Sequence, residues 1–305
     1  MVQQPFFIDT VIAPSYEGML LRDYLIKKVR LSRRALKAVK FRDGRLLING
    51  EEQTVRYRLK AGDKLSIVFP PEDKSPSLKG KPMPLDIIFE DEHVIVINKP
   101  PGIPVIPSQK YSTDTLANGV LAHLEKQNLA YTVHTVTRLD RETSGLLLIA
   151  KHRHAHDFFV KMQKAHEVHR RYLAVIQGNL EKEEGVIDAP IGRKDGSIIE
   201  RTVRLDGKPA RTNYKVIKRL KDLSVAAIKL ETGRTHQIRV HFSHLGYPLA
   251  GDDLYGGSLE IIGRQALHSF ELSFRHPFTD ENMLFQAPCP EDMRAIIGEI
   301  PLQMI

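Results

Sequence analysis

Two short runs hold the residues best able to do chemistry. In the first, Arg138-Leu139-Asp140-Arg141-Glu142-Thr143-Ser144-Gly145, an aspartate sits between two arginines and is followed by small polar residues. An aspartate in such company ordinarily makes a turn, its side chain bonding nearby backbone amides. A paired-carboxylate site for glycosidic bonds is the other reading, but Asp140 and Glu142 are separated by one residue, which does not by itself put a carboxyl on each side of a substrate. The second run, Glu231-Thr232-Gly233-Arg234-Thr235-His236-Gln237-Ile238-Arg239-Val240-His241-Phe242, gathers two histidines and an arginine, with His244 just beyond. Histidines raise the question of a metal. Here His236 and His241 are five apart rather than four, His-Glu-x-x-His is absent, and the one cysteine cannot build a thiolate cage, so no metal is expected. That cysteine, Cys289, lies between Pro288 and Pro290 without an adjacent base and reads as a small apolar filler rather than a nucleophile.

The elements that must position these runs are mostly strands. Ile87-Ile88-Phe89 and Val94-Ile95-Val96-Ile97-Asn98 flank a turn at Asp91-Glu92-His93, and Leu146 to Ala150 follows the first run directly. Tyr172 to Ile176, Val225 to Leu230 and Ala266 to Leu272 are further strands, whereas Thr115 to Lys126 has the spacing of an amphipathic helix. Thr232-Gly233-Arg234-Thr235 reads as a strand end and helix cap, with the next twelve residues helical. Many strands with few inserted helices predict an α+β domain with a mainly antiparallel mixed sheet, not a wound βαβ fold.

The first seventy residues have another pattern. Leu20, Leu21, Tyr24 and Leu25 recur at helical spacing. Ser32 can cap a second helix that turns Leu36 and Val39 inward and carries Arg33, Arg34, Lys37 and Lys40. Asn49-Gly50 after an apolar run predicts a tight hairpin, and Leu59 to Phe69 a turn and a last strand. Five prolines within residues 70–84 mark a linker. The expected organisation is a small α+β RNA-binding domain at 1–70, a linker at 71–84 and a catalytic domain at 85–305. RNA is the expected ligand of the small domain because Arg30, Arg33, Arg34, Lys37, Lys40 and Arg42 crowd one stretch.

The 305 residues are 42% apolar and 27% charged, a globular composition, and carry a formal charge of +8. A positive balance favours a polyanionic partner, since neutralised phosphates release counterions. No apolar run reaches the ~20 residues needed to span a bilayer, and the N-terminus lacks a signal-peptide layout, so nucleic acid is preferred to membrane. One cysteine suits a reducing cytoplasm.

Four segments in order resemble the RluA-type RNA pseudouridine synthases: Ile97-Asn98-Lys99-Pro100-Pro101-Gly102, Arg138 to Leu146, Arg170-Arg171-Tyr172, and Thr232 to His241. Gly251-Asp252-Asp253-Leu254-Tyr255-Gly256 and Gln265-Ala266-Leu267-His268 are also similar to segments of that family, so the likeness spans nearly all of residues 85–290. The helix-helix-hairpin order of residues 14–70 resembles a small RNA-binding module shared by a ribosomal small-subunit protein and several RNA-modifying enzymes.

The resemblance implies that Asp140 is the essential carboxylate, Tyr172 the aromatic that packs against the target base, Arg239 the cation paired with Asp140, and Arg138 the side chain that helps displace the nucleotide. It implies no cofactor and RNA as the partner; the basic N-terminal module and the family layout together favour large-subunit ribosomal RNA over transfer RNA, and a monomer is expected. Two departures stand out. Thr137 replaces the family's usual histidine, and Ile103-Pro104-Val105-Ile106-Pro107 lacks a common histidine near its end. The competing expectations are a non-catalytic RNA-binding assembly factor on the same fold, which would need no carboxylate facing RNA, and a nucleoside or glycoside hydrolase, which would release free base or sugar.

Overall fold

Ser32 starts a helix because its Oγ accepts the backbone N–H of Ala35 at 3.0 Å, satisfying one of the donors a helix start leaves open. In the computed structural model, which describes residues 5–72, 78–109, 111–129 and 132–300, that helix belongs to a small α+β unit. The unit contains β1 (Phe7–Val11), α1 (Leu21–Lys27), α2 (Arg33–Phe41), β2 (Arg45–Ile48), β3 (Glu51–Glu52) and β4 (Lys64–Val68). Its strands form one antiparallel sheet in the order β1-β4-β2-β3. The predicted hairpin joins β2 to β3, with Asn49 (φ 52°) and Gly50 (φ 87°) both in the left-handed region that such turns require. Helix α2 buries Ala35, Leu36 and Val39 and exposes Arg33, Arg34, Lys37 and Lys40, as its spacing predicts.

The rest of the chain builds one large sheet. Its elements run β5 (Ile87–Glu90), β6 (Val94–Lys99), α3 (Leu116–Lys126), β7 (His134–Thr135), β8 (Ser144–Ala150), α4 (Arg153–Lys164), β9 (His169–Gln177) and β10 (Glu184–Asp188). There follow β11 (Ile191–Arg193), β12 (Arg201–Val203), β13 (Arg211–Leu220), β14 (Leu223–Leu230), α5 (Gln237–His244), β15 (Leu267–Arg275), β16 (Asn282–Gln286) and α6 (Glu291–Ile297). The sheet order is β10-β13-β14-β9-β15-β8-β6-β5, with β16 on β15 and β7 on β8, and β11 pairs with β12 in a separate hairpin. Only the β15–β8 pair is parallel among the described strands of this sheet, so the mainly antiparallel mixed architecture is as expected.

Strand β8 is buried at every residue because helices cover both of its faces. On one face Leu147 and Ile149 pack with Leu116, Val120 and Leu124 of α3. On the other, Leu146 and Leu148 pack with Ala155, Phe159 and Met162 of α4. Helix α4 did not stand out in the sequence. Its cap is an uncommon one, His152 Nδ1 accepting the Ala155 N–H at 3.1 Å.

The small sheet rests on α4 and its neighbours. Ser32 Oγ donates to Asp157 Oδ2 at 2.6 Å, and Phe6 stacks on His152 with ring centres 3.6 Å apart. Residues 73–77 of the expected linker lie outside the described residues. Beyond them the chain is pinned along α3, where Asn118 Nδ2 donates to the Lys79 carbonyl at 2.7 Å and Lys81 N–H to the Asn118 carbonyl at 3.0 Å.

Candidate active site

The run around Asp140 is a turn held from four sides. The Asp140 carbonyl accepts the Thr143 N–H at 3.1 Å, so the turn expected from composition is present. Lys99 Nζ donates to the Arg141 carbonyl at 2.8 Å, Arg264 Nη1 to the Glu142 carbonyl at 3.0 Å, and Gln265 Nε2 to Thr143 Oγ1 at 3.2 Å. Lys99 is fully buried and also donates to the carbonyls of Pro100 (2.7 Å) and Ile103 (3.0 Å). Burial pulls its ammonium down to about 7, against the charges of Glu142 and Asp140. Three carbonyls use all three N–H groups of the charged form, so the geometry is that of the ammonium. The Glu142 carboxylate turns to Arg141 Nε at 2.7 Å and does not line the cleft, so Asp140 and Glu142 do not pair across it.

Just after this turn, Gly145 has φ 107°, and a Cβ there would stand 2.2 Å from the Ser269 carbonyl oxygen. Only glycine allows β8 to approach β15 so closely. Ser269 in turn pairs with Tyr172 of β9, so Gly145, Ser269 and Tyr172 lie side by side across three strands. That register sets the lateral distance between the Asp140 turn and Tyr172, which is buried among Leu139, Ile228 and Ile238.

Helix α5 brings the third member. It is shorter than the predicted twelve residues, spanning eight, and Thr235 does not cap it. Gln237 instead organises its start. The Gln237 Oε1 accepts Arg234 N–H (2.9 Å) and Thr232 Oγ1–H (2.8 Å), and its Nε2 donates to Arg211 O and Thr212 Oγ1, both at 3.0 Å. The preceding residue, His236, adopts a left-handed backbone with φ 58° and ψ 21°.

One helical step on, Arg239 donates from Nη1 to Asp140 Oδ2 at 3.2 Å. Its Nε and Nη2 grip the fully buried Asp252 at 2.8 and 2.7 Å, a bidentate pair that fixes the guanidinium plane. Burial opposes the charge on Arg239, but the Asp252 hydrogen bonds and the Asp140 charge outweigh it and raise its pKa above the ordinary value. Tyr255 lies beneath, with Arg239 Cζ 4.9 Å from its ring centre. His236 Nε2 stands 3.9 Å from Asp140 Oδ1, and burial lowers its pKa below the usual value.

Asp140, Tyr172, Arg239 and the exposed Arg138 all line one cleft of about 1420 Å³. Small-molecule pockets span about 300–1,000 Å³, so the cleft has room for a polymer segment. Arg141, Lys164, Arg170, Lys229 and Arg234 also face it, against the carboxylates of Asp140 and Glu231, which makes it a cation-lined groove. Thr137, in place of the expected histidine, is buried and accepts the Leu148 N–H on Oγ1 at 2.9 Å, a structural use of the position. Arg33, Arg34, Lys37 and Lys40 do not line the cleft and lie on the separate exposed face of α2. Asp252, Lys99, His236 and Tyr255 received no role from the sequence. The first three are ordinary polar residues in local context, and their partners come from distant segments.

A family model described as RNA pseudouridylate synthase matches residues 93–244. An RNA pseudouridine synthase of Bacillus subtilis, itself named as uncharacterized, is 52% identical over 279 residues, spanning 92% of this chain and 98% of the relative. The ribosomal large subunit pseudouridine synthase D of Nitrosomonas europaea is 36% identical over 262 residues, 83% of this chain and 76% of its own length. The solved structure of human RNA pseudouridylate synthase domain containing 1 superposes with a TM-score of 0.57 at 26% identity, covering 68% of this chain and 85% of that one. Fold and cleft thus define an RNA-modifying isomerase. The chain belongs to the RluA-type RNA pseudouridine synthases.

Proposed function

We propose that the chain converts uridines of large-subunit ribosomal RNA to pseudouridine, with Asp140 as the reacting carboxylate. The ion pair of Asp140 and Arg239 at 3.2 Å, in a cation-lined groove beside Tyr172, carries this reading. The reaction breaks the bond from ribose C1′ to base N1 and forms one from C1′ to C5. C5 loses a proton and N1 gains one, so no redox partner or group donor is needed. A carboxylate serves it either by adding covalently or by moving a proton, and both uses require the anion. Arg239, held by Asp252, supplies the countercharge.

A uridine in structured RNA must leave its stack before a protein pocket can reach it, at a cost of a few kcal/mol. Tyr172 offsets that cost by packing on the base, and Arg138, exposed at the cleft beside Asp140, helps displace the nucleotide. Residues 1–70 act as the RNA-binding domain through Arg33, Arg34, Lys37 and Lys40, joined by the 71–84 linker to a catalytic domain at 85–305. The ribosomal substrate is favoured by relatives named as large-subunit enzymes, and we place the protein in the cytoplasm as a monomer. None of its described helices is long and apolar enough to cross a membrane.

The test is pseudouridine mapping of ribosomal RNA from cells with and without the gene, then with Asp140→Asn. The variant is expected to abolish modification at every dependent position while RNA affinity stays nearly intact. Substantial remaining turnover would falsify the assignment of Asp140.

A further inference from the structure

We propose that His236 touches the substrate, its Nε2–H donating a hydrogen bond to a carbonyl oxygen of the target uracil. This deepens the uridine reading of the Asp140 cleft and rests on it.

The imidazole is built into the site without serving the helix that starts there. His236 is the residue before α5, yet its side chain makes no cap hydrogen bond. Its left-handed backbone costs about 1–2 kcal/mol for a residue with a Cβ, a strain that persists only where surrounding structure demands it. The ring lines the cleft with its side chain 13% exposed, and Nε2 faces the same space as Asp140 Oδ1, 3.9 Å away.

Hydrogen-bond accounting favours one tautomer. Tyr255 Oη accepts the backbone N–H of Arg201 at 2.9 Å, and it lies 2.8 Å from His236 Nδ1. A phenol has one proton to give, and among the described residues His236 Nδ1 is the hydrogen-bond partner able to take it. Tyr255 therefore donates, Nδ1 accepts, and the ring proton resides on Nε2, facing the cleft. The tyrosine is fixed in turn by Ser243 Oγ, which donates to its carbonyl at 2.9 Å, and by Arg239 over its ring.

A donor at this place suits the isomerisation. Uracil presents acceptors at O2 and O4. A half-turn of the ring about the line from N3 to C6 exchanges N1 with C5 and, with them, O2 with O4. One fixed N–H can thus serve a carbonyl oxygen on either side of the turn, and its bond is strongest on the detached uracil, whose oxygens share the charge left by C1′–N1 cleavage. His236 exchanges no proton in this role; the C5 proton leaves to solvent and N1 is protonated as in the overall reaction.

The experiment uses full-length protein and C5-tritiated total RNA from cells lacking the gene, with tritium release followed in a single turnover. His236→Leu is expected to lower the rate constant about 100-fold, the scale of losing one preorganised donor, with RNA affinity unchanged. His236→Gln, whose amide N–H reaches the Nε2 position, should recover to within about tenfold of the native rate. Nitrogen-15 NMR of the imidazole should report the Nε2-protonated tautomer in the native protein and a tautomer mixture in Tyr255→Phe. A folded His236→Leu within about threefold of native, a glutamine variant no better than leucine, or an Nδ1-protonated native ring each overturns the proposal. If the native protein releases no tritium, the uridine reading itself fails and this inference falls with it. If Asp140→Asn is inert while His236→Leu keeps the native rate, only the inference falls.

Discussion

Asp140 is at once a turn residue and a cleft carboxylate, and the two uses support each other. Its carbonyl closes the turn, and Lys99, Arg264 and Gln265 hold the next three residues, so the side chain is aimed by backbone it does not control. Arg239 depends on Asp252 in the same way. Asp252→Asn keeps the shape but removes the charge that grips two guanidinium nitrogens, and we expect it to cost about 1.5–3 kcal/mol of stability. Because Arg239 can then shift from Asp140, the single-turnover rate should also fall by about tenfold or more. Urea titration and rapid-quench kinetics read the two effects separately, and an unchanged rate in a destabilised protein would leave Asp252 with a structural role alone.

Among the elements, α2 and the β8–β15 contact make separable predictions. Replacing Arg33, Arg34, Lys37 and Lys40 together by alanine leaves the buried face of α2 untouched. If all four meet phosphates, the slope of log affinity against log salt should shrink by about 3, while the turnover of bound RNA persists. An unchanged slope would make this helix a solvated face. Gly145→Ala belongs to the sheet. Its Cβ would enter the Ser269 carbonyl, so β8 and β15 must separate and carry the Asp140 turn away from Tyr172. The expected result is a loss of several kcal/mol in stability together with activity, measurable as a fall in urea midpoint. Helix α4 was missed because its apolar face is read only against β8, and its histidine cap has no common sequence signature.

At the scale of the molecule, the small sheet meets the large one over a layer of histidines and aromatic rings. Phe6 stacks on His152, His93 stacks on Phe278 at 3.7 Å, and His93 Nδ1 lies 3.0 Å from His152 Nε2. Both ring nitrogens of His154 are buried with no hydrogen-bond partner among the described residues. Burial lowers His93 and His154 to about 4 and takes His152 well below its usual value; Asp91 and Asp157 oppose the effect, while Lys151, Lys161, His134 and His276 add to it. Bases depressed on folding leave the unfolded chain binding more protons between pH 4 and 6.5. Stability should therefore be complete above about pH 6.5 and fall as pH drops toward 4, by up to about 1.4 kcal/mol per pH unit for each histidine. Denaturant midpoints across that range test this, and His154→Phe should flatten the slope; a native midpoint that does not move would refute it.

What the chain's order of residues determines by itself is local. The Ser32 cap, the Asn49-Gly50 turn, the basic face of α2 and the turn at Asp140 each depend on neighbours within a few positions. Family likeness added the expected roles of Tyr172 and Arg239, because the motifs could be matched even where their meeting could not be derived. The meeting itself belongs to the tertiary structure. Asp140 and Arg239 lie 99 positions apart, and Asp252 joins them from a third segment, so no spacing rule connects them. The same holds for the proton on His236, which is favoured on Nε2 by a tyrosine 19 positions away whose hydroxyl is anchored on β12. Asp140 became a candidate for catalysis through its motif, but its aim, countercharge and neighbours were decided by strands and helices that only folding brings together.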